Sequence, residues 1–125
     1  MGVAASMTTQ WKNYAALTGF AYQYYFVGQR PALATDPDAP STEYVFDVTL
    51  DRKNLFAVSI FLKPAALEHW AAERGRALTE PEQYAGVKLR LLQALDEIPD
   101  MLRNGRRLSL DGERLIELLD SIGVD

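Results

Sequence analysis

His69 is the only histidine in the chain, so any imidazole chemistry must use it. It lies in Ala65–Arg74, a segment with helical spacing, beside Glu68 and one turn before Glu73. A histidine and a carboxylate at this spacing can bind a metal ion or pass a proton. A metal site needs three or more convergent ligands, and without cysteine only carboxylates remain to complete it. We therefore expect no metal and no other cofactor, and we interpret His69 as an exposed helical side chain.

Asp47 is the second candidate for chemistry, because it interrupts an otherwise apolar strand. A carboxylate beside a tyrosine or Ser59 on an open sheet face could serve as a catalytic acid or base. Nothing in the sequence indicates a raised pKa, and polar residues are common on the solvated face of a sheet. The chain also has no serine elbow, glycine-rich dinucleotide loop or phosphate-loop lysine. A binding protein is therefore expected before an enzyme.

Arg103, Arg106 and Arg107 form the one basic cluster of the sequence. Together with the aromatic segment Phe20–Phe26, they match loosely the combination of charge and stacking that binds single-stranded nucleic acid. The formal net charge of −4 opposes this interpretation, because nucleic acids and anionic membranes attract clustered cations. Arginines are also favoured at the end of a helix, where this cluster lies. Weak nucleic-acid binding is therefore the third hypothesis.

Three strands would position these residues. Phe20–Val27 alternates aromatic residues on one side, and Tyr44–Leu62 has the pattern of a hairpin. A three-residue loop, Arg52–Asn54, would place Phe46 opposite Ile60 and keep the apolar side chains together, with Asn54 in the left-handed conformation. The predicted buried face comprises Tyr44, Phe46, Val48, Phe56, Val58 and Ile60.

The opposite side of the same strands is also rich in apolar residues, with Gln23, Asp47, Thr49 and Ser59 as its polar members. If the helices pack on the Phe46 side, this second face is an exposed apolar surface, which commonly marks a partner or oligomer interface. The alternative is that the N-terminal segment with Trp11 and Tyr14, or the last helix, folds over it. The predicted interface residues are Tyr25, Val27, Val45 and Phe61.

The remaining segments are mostly predicted to be helical. Ala65–Arg74 follows Pro64 and ends at Gly75, and Thr79–Glu82 is a capping box that starts a helix reaching about Ile98. The other predictions are a helix over Thr8–Leu17, a long loop over Arg30–Thr42, an edge strand or linker over Arg106–Leu110, an additional helical turn over Pro99–Asn104, and a helix over Gly112–Ser121 capped by Asp111.

The order of strands followed by helices predicts a single α+β domain over residues 1–125, with an antiparallel sheet of three to four strands and two to three helices packed on one face. Residues 1–7 are expected to be poorly ordered, and the natural start could be Met7, with the first six residues preceding it. The absence of cysteine fits a reducing compartment, and no run approaches the roughly 18 apolar residues of a membrane helix, so a cytoplasmic location without a membrane partner is expected.

The leading functional hypothesis is a non-catalytic protein-interaction or assembly module, with a protein partner or a second copy of the chain bound at the second sheet face. The alternative is a small-molecule-binding protein or cofactor-free enzyme with a cleft between the sheet and the helices, lined by tyrosines and Asp47 or His69.

Overall fold

The structure is a computed structural model that describes residues 10–125. The prediction for residues 1–7 therefore lies outside the described residues. The elements are β1 (Lys12–Ala15), β2 (Ala21–Pro31), β3 (Thr42–Thr49), β4 (Leu55–Leu62), α1 (Pro64–Arg74), α2 (Glu80–Glu97), α3 (Met101–Asn104), β5 (Arg107–Leu110) and α4 (Gly112–Asp120).

The five strands lie side by side in chain order. Strands β1 to β4 are antiparallel to their neighbours, whereas β5 runs parallel to β4. The parallel pairing arises because α1, α2 and α3 intervene between β4 and β5, so that the chain crosses back before it enters the sheet again. The predicted α+β class is confirmed. The predicted sheet was too small and wholly antiparallel, whereas the described residues form a mixed five-stranded sheet with four helices.

The β3–β4 hairpin keeps the predicted faces but not the predicted register. Phe46 lies opposite Val58 rather than Ile60, so the predicted pairing is wrong by two residues. Side chains repeat every second residue along a strand, and an even shift therefore leaves the same apolar set on the buried side. Five of the six predicted members are buried and Phe56 is partly buried.

The shift follows from the loop, which spans residues 50–54 rather than 52–54. Asp51 Oδ1 accepts the backbone N–H groups of Lys53 at 2.8 Å and Asn54 at 2.9 Å. The Thr49 hydroxyl accepts the Arg52 N–H at 3.0 Å. These side-chain bonds close a wider turn in which Arg52, with φ of 66°, takes the left-handed conformation predicted for Asn54.

The predicted helix over Thr8–Leu17 is wrong within the described residues, because Lys12–Ala15 is a strand. Thr8 and Thr9, its proposed caps, lie outside the described residues. In the strand, successive side chains point to opposite faces. Tyr14 packs against the core, while the Trp11 ring lies on the other side of the sheet against Tyr25.

The helices cover one face of the sheet and share one cluster of buried side chains with it. Local signals set their ends as predicted: Gly75 ends α1 with φ of 77°, Thr79 and Glu82 form the capping box of α2, and Asp111 caps α4. Gly86 of α2 allows close contact with α4, since a Cβ there would lie 2.6 Å from Leu115 Cδ1. None of the helices among residues 10–125 is long and apolar enough to span a membrane.

Candidate functional site

The side of the sheet opposite the helices, here called the helix-free face, carries most of the predicted site residues. The pairings align Tyr25 with Asp47 and Ala57, and Val45 with Gly28 and Ser59. Side chains from β2, β3 and β4 therefore meet in rows across this face, as the predicted alternation requires.

Asp47 is paired with a tyrosine on this face. The Tyr25 hydroxyl donates a hydrogen bond of 2.7 Å to Asp47 Oδ2, and this bond to the carboxylate raises the pKa of Tyr25 above its usual value. The Trp11 ring meets Tyr25 edge-on at 4.7 Å, and the Arg52 guanidinium lies 5.8 Å from the Trp11 ring centroid. The predicted cover by Trp11 therefore exists over Tyr25, while Tyr14 lies on the helix side.

Glu43 is the most deeply buried carboxylate of the helix-free face. It accepts a hydrogen bond from Arg30 Nε at 3.0 Å and one from the Ser59 hydroxyl at 2.6 Å. The bond from Arg30, followed by the bond from Ser59, lowers the pKa of Glu43 and holds the carboxylate ionised. These contacts fix both partners in one arrangement.

Phe61 does not contribute to an exposed surface, which corrects the prediction that it lies open on this face. Its side chain is fully buried, because the Arg107 guanidinium lies 4.4 Å from its ring centroid. Arg107 is held there by Asp36 and Asp38, each 2.8 Å from Nη2. Arg107 therefore closes this end of the face, whereas the sequence pattern placed it in the basic cluster predicted to bind nucleic acid.

The apolar part that stays open is centred on Val27 and Val45. A bulge between Phe26 and Gly28 inserts Val27 into β2, where the side chain is 55% exposed. Val27, Gly28, Arg30 and the half-buried Val45 line a depression of about 220 Å³. Val27 and Val45 thus share one depression, whereas Tyr25 lies in the neighbouring row beside Asp47 and Phe61 is buried.

His69 lies in the helix layer, on the opposite side of the sheet from Asp47. Its ring packs on Gly112, where a Cβ would lie 2.6 Å from two ring carbons. It borders a depression of about 420 Å³ between α1 and α4 that Glu73, Glu113 and Glu117 also line. Within residues 10–125, no group of three or more histidine, aspartate or glutamate side chains is arranged to hold a metal ion. The structure does not bring His69 and Asp47 into one site.

The three arginines of the basic cluster point to different partners. Arg103 is 3.9 Å from Asp100, the Arg106 Nε donates to the Ala57 carbonyl at 3.1 Å, and Arg107 binds two carboxylates. Two of the three are committed to contacts within the chain, so the cluster does not form one open cationic surface.

Comparison of the chain with protein-family models, with curated proteins and with solved structures finds no significant match.

Proposed function

We propose that this chain is a non-catalytic protein-interaction module that assembles as a homodimer through the helix-free face. The observation that supports the proposal is the depression at Val27 and Val45, an open apolar centre beside the hydrogen-bonded pairs Arg30–Glu43 and Tyr25–Asp47. A polar rim around an apolar centre is the usual anatomy of a protein interface.

The internal pairs lower the expected cost of association. Tyr25 with Asp47 and Arg30 with Glu43 already hold their side chains in defined positions. Binding therefore immobilises fewer free side chains, each of which would cost about 0.5–1.5 kcal/mol when ordered. A surface whose side chains are already ordered therefore loses less conformational entropy when a partner protein binds it.

The charge of the face fits a second copy of the chain. The cations on or beside it are Arg30, Arg52 and Arg107, and the anions are Glu43, Asp47, Asp36 and Asp38. A twofold dimer brings the same surface patch against itself, so a strongly one-signed patch would repel its copy. Near balance of charge removes this obstacle.

Sedimentation velocity on the full chain and on Val27→Asp tests the proposal. The expected result is a concentration-dependent dimer for the natural chain and a monomer for Val27→Asp, because the new carboxylate would be buried without a partner. Leu17→Asp is the matched control, since Leu17 is 86% exposed beside the β1–β2 turn. A monomer at every concentration, or equal dimerisation of all three proteins, would contradict the homodimer.

We further propose that the module acts in the cytoplasm, where a chain without cysteine needs no oxidising compartment. Cell fractionation followed by detection of the untagged chain tests this location. Recovery in the secreted or membrane fraction would contradict it.

A further inference from the structure

The outer edge of β2 is longer than the strand that covers it. β1 pairs only with Ala21–Tyr24, whereas β2 continues to Pro31. Among residues 10–125, no strand pairs with this side of β2 beyond Tyr24. An uncovered strand edge is a template for another extended chain.

The backbone groups at this edge can be assigned from the ladder. The Ser59 N–H donates to the Arg106 carbonyl at 2.8 Å, so the Ser59 backbone points toward β5. Alternation across the antiparallel pairs then turns the backbones of Tyr25 and Arg30 toward β3. The N–H and C=O groups of Phe26 and Gln29 consequently face outward. Pro31 has no N–H and marks the end of the usable edge.

Two depressions lie along this same edge. The larger, of about 450 Å³, is lined by Lys12, Phe26 and Tyr84 and by Gln10, Tyr24, Tyr25 and Val27, so it reaches round the edge from the helix side, where the Phe26 and Tyr84 rings are 5.0 Å apart. On the helix-free side lies the smaller depression at Val27 and Val45. An added strand projects alternate side chains to opposite faces, so it could fill both depressions at once.

The charges along the edge indicate the chemistry of the occupant. Lys12 is exposed and makes no ion pair within the described residues, whereas Arg30, although 69% exposed, is paired with Glu43, so Lys12 is the cation left uncompensated at this edge. The edge segment itself, residues 25–31, contains no carboxylate, although the chain as a whole is acidic. An acidic segment therefore complements this edge better than a neutral one does. Residues 1–9 of this chain carry no acidic side chain.

We propose that the outer edge of β2 accepts an extended acidic segment of a partner protein as an added strand, with a large apolar side chain in the Phe26–Tyr84 depression. This inference rests on the proposed interaction function and adds a second partner class, which would compete with a second copy of the chain for the depression at Val27 and Val45. The backbone of Phe26 and Gln29 supplies the strand hydrogen bonds, and the two depressions supply selectivity for the side chains.

Fluorescence anisotropy with the full chain tests the inference. The probe is a fluorescein-labelled peptide of alternating glutamate and valine with one central phenylalanine, and the control peptide has lysine in place of glutamate. Gln29→Pro removes the outward N–H without touching the β2–β3 ladder, so we expect about fivefold weaker binding, the value of one hydrogen bond. Gln29→Ala, which keeps the N–H, should bind as the natural chain does.

Hydrogen exchange at the Phe26 and Gln29 amides provides the second measurement. The expected result is fast exchange in the free chain and slower exchange with the glutamate peptide. The inference would be overturned if the glutamate peptide did not bind, if the lysine peptide bound equally well, or if both Gln29 variants lost the same affinity. It would also be overturned if these amides were fully protected in the free chain, by its own residues or by a second copy. Dimerisation without peptide binding would defeat only this inference, and peptide binding by a monomer would defeat only the homodimer.

Discussion

The guanidinium of Arg107 lies 4.4 Å from the ring centroid of Phe61, and this contact closes one end of the helix-free face. Asp36 and Asp38, from the loop between β2 and β3, hold the guanidinium over the ring. The loop, β4 and β5 are thereby joined at one point. The open apolar surface around Val27 and Val45 lies in the adjacent row of the sheet, toward β2.

Arg107→Ala should lower the free energy of unfolding by about 1 kcal/mol, because it removes the cation–π contact and uncovers Phe61. Urea denaturation followed by circular dichroism measures the change. Arg103→Ala is the control and should have little effect, since Arg103 is 82% exposed and 3.9 Å from Asp100. Equal effects of the two substitutions would show that Arg107 does not hold this end of the face.

Protonation of Glu82 should lower the free energy of unfolding at acidic pH. Hydrogen bonds from Arg76, and then from the Thr79 backbone, lower the pKa of Glu82 from 4.5 to about 2. The folded state thus favours the ionised carboxylate, so this contribution is complete above pH 4.5 and is lost as the pH falls toward 2. Urea midpoints measured across this range should fall less steeply for Glu82→Gln, whose amide can keep the capping box.

Glu68→Gln is the control for this titration, because Glu68 is an exposed residue of α1 outside the capping box. Its urea midpoints should follow those of the natural chain. If Glu82→Gln also follows them, Glu82 does not contribute to the acid sensitivity.

The bond between Tyr14 and Asp96 should hold β1 on the helix layer. The Tyr14 hydroxyl donates to Asp96 Oδ2 at 2.7 Å, and this bond raises the pKa of Tyr14 to about 12. Tyr14→Phe should cost about 1 kcal/mol of unfolding free energy. Because the folded pKa is raised from 10.0, this stabilisation should be complete below pH 10 and should fade between pH 10 and 12.

Ultraviolet titration of the phenols checks the pKa of Tyr14, with the Tyr14→Phe spectrum subtracted to isolate its signal. In Asp96→Asn the pKa of Tyr14 should fall toward its ordinary value. An unchanged titration in that variant would refute the assigned cause.

Gly86→Ala should destabilise the fold, because the added Cβ would lie 2.6 Å from Leu115 Cδ1 in the α2–α4 contact. Overpacking of this kind costs about 1–3 kcal/mol, against a gain of about 1 kcal/mol in helix propensity. In a Leu115→Ala background the same change should stabilise the fold, since the methyl group then enters vacated space. A double-mutant cycle in urea measures the coupling, and additive effects would contradict the contact.

Local chemistry made much of the helix layer predictable. Gly75, the Thr79–Glu82 capping box and Asp111 act within a few residues of their own positions, so the sequence pattern contains the whole interaction. The buried hairpin face was likewise predictable, because it depends only on alternation along each strand.

The features that escaped prediction depend on contacts between distant residues. β1 is short, and its Tyr14 bonds Asp96, which lies 82 residues away. The cover over Phe61 needs Arg107 to meet Asp36, 71 residues away, and no periodicity reveals such a pair. The hairpin register depended on the side-chain bonds of Asp51 and Thr49 within the loop, which apolar matching alone does not include.

Methyl resonances recorded by NMR across a dilution series test the central claim most directly, because they report on the helix-free face itself. The resonances of Val27 and Val45 should shift with protein concentration as the dimer forms. Those of Ile122, half-exposed just beyond α4, should stay constant. Constant Val27 and Val45 resonances over the series, or equal shifts at Ile122, would contradict assembly through this face.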